Sequence, residues 1–319
     1  MEFVDGISGK PLKISLDLEL QKLAYEKLGR YAASAVAMDV KTGELLACVS
    51  TPSFDTNKFA FGITQLEFNE LLKNERKPLI NKFLSAQYSP GSTIKPIIAL
   101  AALENKIVDQ DYTHFCPGKI ELYGQEFYCW KDGGHGRVNL KDAIKKSCDV
   151  YFYEVARLLG VDRMADIIRK FDFGQLVLKD FDEEKKGLVP DTKWKKNALG
   201  KPWLLGETLI SGIGQGYILA TPIQICKSIA QFANGGFIVE PTFYTDQKSK
   251  LKRMDFDTDN IKIINEALVA ATNEQGGTSY GSRLTGNLKF CGKTGTSQVT
   301  KLTMKDREDN ANPNARPYI

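Results

Sequence analysis

The chain has 319 residues, 42% hydrophobic and 26% charged, with a formal net charge of +4, the balance of a soluble globular protein large enough to bury a sizeable core. Its 43 basic residues barely outnumber the 39 acidic ones, and no basic run interleaves with aromatics, so nucleic-acid binding has no support. No window of about eighteen apolar residues and no N-terminal export pattern occurs, which argues against a membrane-crossing helix or a signal peptide in these residues.

In chain order, residues 12–17 alternate like a strand, and 18–31 carry apolar positions at helical spacing. Residues 34–40 and 45–50 are β-rich runs around Lys41-Thr42-Gly43-Glu44, a predicted hairpin. A loop and a short amphipathic helix near 65–74 follow. Pro90-Gly91 then announces a helix from about Ser92, whose run IIALAALE (97–104) consists of helix formers. Pro96 falls in its first turn, where a missing N–H costs little. Residues 116–130 read as a small hairpin turning at Gly124-Gln125, and 139–160 as a helix broken near Ser147. A helix over 161–171 precedes a charged surface loop over 173–205. The pattern then gives a helix at 221–234 capped by Gly235-Gly236, a strand at 237–243 and a helix at 260–274. A last strand at 288–291 runs into Gly292-Lys293-Thr294-Gly295-Thr296, and the final nineteen residues are polar with no evident element. This order suggests an α/β domain with a helical insertion.

Ser92 and Lys95 lie three apart, on one face of a first helical turn. A serine hydroxyl is a poor nucleophile until a base takes its proton, which a neutral lysine amine one turn away can do. Burial and nearby cations would keep that amine neutral. Alone, the pair is better explained as a serine cap beside a surface lysine. Two further pieces change the balance: Ser147-Cys148-Asp149 and Lys293-Thr294-Gly295-Thr296. The trio resembles the Ser-x-x-Lys, Ser-Asp-Asn and Lys-Thr-Gly signature of penicillin-binding proteins and class A β-lactamases. In such a set Ser147, at a break between helices, relays a proton toward the leaving amine. Lys293 on a strand edge supplies a fixed cation, and Thr294 and Thr296 offer hydroxyls to a substrate carboxylate. The backbone N–H groups of Ser92 and Thr296 form the oxyanion hole.

The flanks extend the resemblance. PSFDTNKF (52–59), YSPGSTIKP (88–96), CWKDGGHG (129–136), SCDVYFYE (147–154), GIGQGYILATPIQ (212–224) and GKTGTSQV (292–299) are similar to the transpeptidase domain of the class B, elongation-type penicillin-binding protein 2 family, over about residues 10–300. The resemblance implies a β-lactamase/transpeptidase-like α/β fold. In it a central antiparallel sheet is covered by helices, with a helical lobe at about 95–235 and the active site between lobe and sheet. It implies that Ser92 is acylated, Lys95 is the base, Ser147 the shuttle, and Lys293 with Thr294, Gly295 and Thr296 the carboxylate-binding wall. The reaction would be D,D-transpeptidation of peptidoglycan stem peptides, with β-lactams trapping its first half. Asp149 stands where Asn is common; an ionised Asp accepts hydrogen bonds only, so an amide donor to the substrate is in doubt.

The family also carries a membrane anchor and a pedestal domain before this domain, and more sheet strands with a closing helix after Lys-Thr-Gly. The chain is therefore expected to be a soluble fragment of a longer protein on the periplasmic face of the bacterial inner membrane. There the resemblance implies a SEDS-type glycan polymerase and other rod-system proteins as partners. Two other readings remain open: a β-lactamase of the same fold, and a penicillin-sensing or scaffold module that acylates without turnover.

Three of the six cysteines and one of the two histidines cluster: Cys116, Cys129, His135 and Cys148. These soft ligands suit Zn²⁺, although the spacing is not that of a finger or ribbon, and buried free thiols are the competing reading. The resemblance favours zinc, since some elongation-type homologues hold it in the same segments. Three thiolates and an imidazole would close the tetrahedron, making the metal structural and tying Ser147 to segment 114–148. His114 reads as a surface residue, Cys48, Cys226 and Cys291 as core thiols, and the three tryptophans as packing residues. Gly292-Lys293-Thr294 is not a phosphate loop, since Asn287 stands where that motif needs glycine.

Overall fold

The computed structural model describes residues 8–178, 180–245, 252–286 and 288–297. Helix α1 (Leu18–Leu28) starts at Asp17, whose carboxylate accepts from Leu20 N–H. Strands β1 (Ala33–Met38) and β2 (Leu45–Thr51) pair antiparallel, with an irregularity at Ala37/Met38. Two short helices follow, α2 (Thr56–Phe61), capped by Asp55, and α3 (Gln65–Lys73), closed by a Thr64/Glu67 capping box. Helix α2 stands where the sequence pattern predicts a loop, and the Asp55 cap on Asn57 N–H starts it. After α4 (Lys82–Ser85), a 3₁₀ turn at Gly91–Ile94 leads into α5 (Lys95–Glu104).

Strands β3 (His114–Cys116) and β6 (Gly136–Val138) form one ladder, and β4 (Lys119–Leu122) and β5 (Gln125–Tyr128) another. Leu122 pairs with Gln125, so the β4–β5 turn is Tyr123-Gly124. Both residues are left-handed (φ 51° and 75°), as a tight two-residue hairpin turn requires. Helices α6 (Leu140–Lys145), α7 (Asp149–Leu159) and α8 (Val161–Lys170) come next. They are followed by α9 (Thr192–Leu199), α10 (Leu205–Gly212), α11 (Pro222–Ala233) and α12 (Thr258–Asn273).

The centre is α5, buried at every position from Lys95 to Leu103. A helix apolar on all sides has no solvent face and must be enclosed. Here α7, α8 and α12 surround it. A second, smaller core joins Leu45 and Cys48 of β2 to Phe83, Leu84, Val177, Leu178 and Ile223.

Three expectations need correction. Segment 173–205 is not a surface loop: it contains α9, and Phe173, Val177, Leu178 and Val189 are buried. Its charges enter the interior with partners, Glu184 accepting from Val177 N (2.7 Å) and Leu178 N (2.9 Å). Segments 12–17 and 237–243 are not continuous strands; they meet their neighbours only at isolated bridges, such as Ile14 with Tyr244 and Glu44 with Thr242. Residues 288–297 form no strand either. Their hydrogen bonds go to α12 instead, through Gly292 N to Leu268 O (3.4 Å) and Asn273 Nδ2 to Phe290 O (2.7 Å). Residues 298–319 lie outside the described residues, including the expected polar tail.

Candidate active site

Ser92 sits in the 3₁₀ turn immediately before α5, and Lys95 opens that helix with its side chain fully buried. Gly91 is left-handed (φ 56°), and a Cβ on it would lie 2.4 Å from Thr296 O. Gly91 N–H donates to Gly214 O (2.9 Å), and a Cβ on Gly214 would lie 2.1 Å from Gly91 O. Glycine at these two places lets three backbones converge: the Ser92 turn, the 212–216 turn and the Lys293–Thr296 segment.

Ser147 occupies the joint between α6 and α7 in a left-handed conformation (φ 53°). Its N–H donates to Ile144 O (3.2 Å), and Cys148 N–H to Ala143 O (2.9 Å). This is a Schellman helix ending with serine in the place usually taken by glycine. The strain marks a position where the hydroxyl outweighs conformational ease.

The buried Lys95 Nζ donates to Ser147 O (2.9 Å), Ser147 Oγ (3.3 Å) and Asp149 Oδ1 (2.7 Å). Its donors are thus turned toward Ser147 and Asp149, and no hydrogen bond joins it to Ser92 among the described residues. Asp149 starts α7, where a carboxylate favours the helix dipole. Its second oxygen accepts from Trp130 N–H (2.9 Å), so each oxygen has a fixed partner and the carboxylate is held in place. Lys293 Nζ donates to Ser147 Oγ (2.8 Å) and Thr294 O (3.0 Å). Burial, reinforced by the charge of Lys95 and opposed by Asp149, pushes Lys293 down to about 7. The structure therefore joins Lys95, Ser147, Asp149 and Lys293 in one network around a single hydroxyl. Thr294 Oγ1 bonds Thr278 Oγ1 (2.9 Å), and Thr296 O accepts from Gln215 Nε2 (3.1 Å).

Trp130, Gln215 and Thr278 were missed as site residues. Trp130, read from sequence as packing, is 59% exposed, with its indole N–H donating to Lys146 O (3.0 Å). The available signal was its place beside Cys129. Cys291 is exposed rather than a core thiol.

Beside the network, Cys116 (β3), Cys129, His135 and Cys148 converge, their ligand atoms all within 4.8 Å of one another. His135 Nδ1 lies 3.4 Å from Cys129 Sγ and 3.7 Å from Cys116 Sγ. All three thiols are buried and free of disulfides. The Cys148 thiol donates to Cys129, which pulls Cys129 well below the usual thiol range and pushes Cys148 above it. A tetrahedral zinc with Zn–S of about 2.3 Å spaces its sulfurs roughly 3.8 Å apart. The donor set and its spread fit that ion.

Residues 33–315 match the family described as the penicillin binding protein transpeptidase domain. The chain is 38% identical over 321 residues to the peptidoglycan D,D-transpeptidase MrdA of Acinetobacter baumannii, covering 96% of this chain and 47% of the relative. Pseudomonas aeruginosa PBP2, solved in complex with WCK 5153, superposes with a TM-score of 0.84 at 36% identity, covering 92% of this chain and 69% of that one. Helicobacter pylori PBP2, solved in complex with MreC, gives a TM-score of 0.86 at 34% identity, covering 90% and 55%. The chain spans about half the length of the curated relatives it matches. With the three motifs brought together and a backbone that follows these neighbours, the chain belongs to the penicillin-binding protein transpeptidase domain family and has its β-lactamase/transpeptidase fold.

Proposed function

We propose that this domain performs peptidoglycan D,D-transpeptidation through an acyl-serine intermediate on Ser92 and is covalently inhibited by β-lactams. The observation that carries the reading is the chain of contacts from Lys293 through Ser147 Oγ to Lys95, one residue past the turn that holds Ser92. Lys293, Thr294 and Thr296 receive the terminal carboxylate of a D-Ala-D-Ala stem. Ser92 Oγ attacks the penultimate carbonyl carbon while its proton passes to Lys95. Lys95 first loses one proton to solvent through Ser147 Oγ at 3.3 Å, which leaves a neutral amine to act as the base. The amides of Ser92 and Thr296 hold the oxyanion. On collapse the C–N bond breaks, and Ser147 hands a proton to the departing D-alanine amine. A neighbouring stem amine then attacks the ester, loses its proton to the same relay, and releases Ser92 Oγ as the cross-link forms.

Asp149 acts on this reading by holding Lys95, not by donating to the substrate. Cys116, Cys129, His135 and Cys148 would hold a structural zinc, which supplies a closed tetrahedral cross-link with no open coordination position. For the whole protein we propose a place on the periplasmic face of the inner membrane, with a SEDS-type glycan polymerase and other rod-system proteins. The MreC-bound neighbour supports the latter.

A time course with a fluorescent penicillin tests the class. A label stable on Ser92 and absent from Ser92→Ala fits a transpeptidase or a non-turnover sensor, which a stem-peptide transfer assay separates; rapid loss of label would indicate a lactamase.

A further inference from the structure

The 212–216 turn touches both the Ser92 turn and the Lys293–Thr296 segment, and neither the motifs nor the relay gives it a task. Gly214 O accepts from Gly91 N–H (2.9 Å), which bonds the turn to the residue just before Ser92. One residue later the Gln215 side chain reaches the other wall, Nε2 donating to Thr296 O at 3.1 Å. Its own backbone is anchored, since Gln215 N–H donates to Ile210 O in α10 (3.1 Å) and α10 packs on α7. The Thr296 carbonyl also abuts Gly91, where a Cβ would come within 2.4 Å of its oxygen. A single short turn, fixed to the end of a helix, thus grips both segments whose amides are assigned to the oxyanion hole.

We infer that Gln215 is a positioning residue that sets the aim and separation of the Ser92 and Thr296 amides. This rests on the acyl-serine reading above. A carbonyl held in place restrains the dihedrals that aim the N–H of the same residue. Donors at an oxyanion act through alignment before the charge develops. Without the amide the Thr296 carbonyl loses its Gln215 donor, which leaves its peptide less firmly aimed. With glutamate, a carboxylate oxygen faces the carbonyl and repels it.

Single-turnover acylation by a chromogenic β-lactam separates initial binding from the acylation rate constant. Gln215→Ala and Gln215→Glu should slow that rate constant by ~10- to 100-fold, below the loss of a whole oxyanion donor, with initial binding little changed. The rate constant reports the reacting fraction, so poor folding lowers the amplitude and leaves this readout intact. The ester carbonyl infrared band of the acylated variants should move to higher frequency and broaden, because a loosened hole polarises the carbonyl less. An unchanged rate constant and band in either variant, or a loss confined to binding, overturns the assignment. A parent chain that forms no adduct on Ser92 overturns the acyl-serine reading itself, and is told apart because it fails before any variant is compared.

Discussion

Ser147 carries two demands that conflict. As the left-handed residue of a helix ending it should be glycine, and as the meeting point of two lysines it must have a hydroxyl. Left-handed geometry costs a non-glycine residue about 1 kcal/mol. Ser147→Gly relieves that strain but removes the acceptor shared by the two lysines, so denaturant titration should show a loss of no more than about 1–2 kcal/mol while penicillin acylation collapses. A variant that still acylates contradicts that account. Lys293 offers a pH test. Its folded value is pushed down to about 7 from the ordinary lysine range. Between those values the unfolded chain binds the extra proton, so stability rises with pH above about 7. Function moves the other way: as pH climbs through the same region the free protein loses the ammonium that grips a carboxylate, and acylation efficiency falls. Lys293→Met should flatten the stability slope; a wild-type stability profile flat between pH 7 and 10 speaks against a depressed Lys293.

At the scale of elements, the thiol cluster matters most. Cys148 caps α7 by accepting from Tyr151 N–H (3.5 Å), between Ser147 and the carboxylate that holds Lys95. Cys129 precedes Trp130, whose N–H holds the other oxygen of that carboxylate. A metal there would cross-link the β4–β5 hairpin to the start of α7. Cobalt(II) titration should give tetrahedral thiolate absorption that Cys129→Ser loses. Metal-stripped chain that stays folded should acylate more slowly through a looser Ser147. Unchanged acylation after stripping removes the metal from the account of the relay.

The same scale shows what could be read from sequence. Segment 97–104, the 33–51 hairpin and the break at Ser147 were legible because apolar spacing and turn residues are local signals. Strands at 237–243 and 288–291 were not, because a strand is defined by its neighbour. Here Asn273 Nδ2 donates to Phe290 O and Leu268 O accepts from Gly292 N–H, so α12 occupies groups that a ladder would have used. Segment 173–205 was misread because its charges are satisfied inside: Lys195 is buried with its ammonium on Glu207. The three motifs were legible as types and order. That Asp149 faces Lys95, and that Trp130 and Gln215 hold the site together, depends on contacts between distant segments.

For the molecule as a whole, α5 is the buried spine on which Ser92 and Lys95 are mounted, with α7 carrying Asp149 alongside and α12 bearing the Lys293 segment. Packing rather than flexible loops therefore sets the distances within the relay. Among the described residues no helix is long and apolar enough to cross a membrane. The most direct test of the central claim is to incubate the chain with a D-Ala-D-Ala stem peptide and an acceptor stem. D-alanine release, cross-linked product and the site of the trapped acyl group are then read by mass spectrometry. The account predicts one D-alanine released per cross-link, with the trapped acyl group on Ser92 and none in Ser92→Ala. An adduct on another residue, or release that persists in Ser92→Ala, would contradict it.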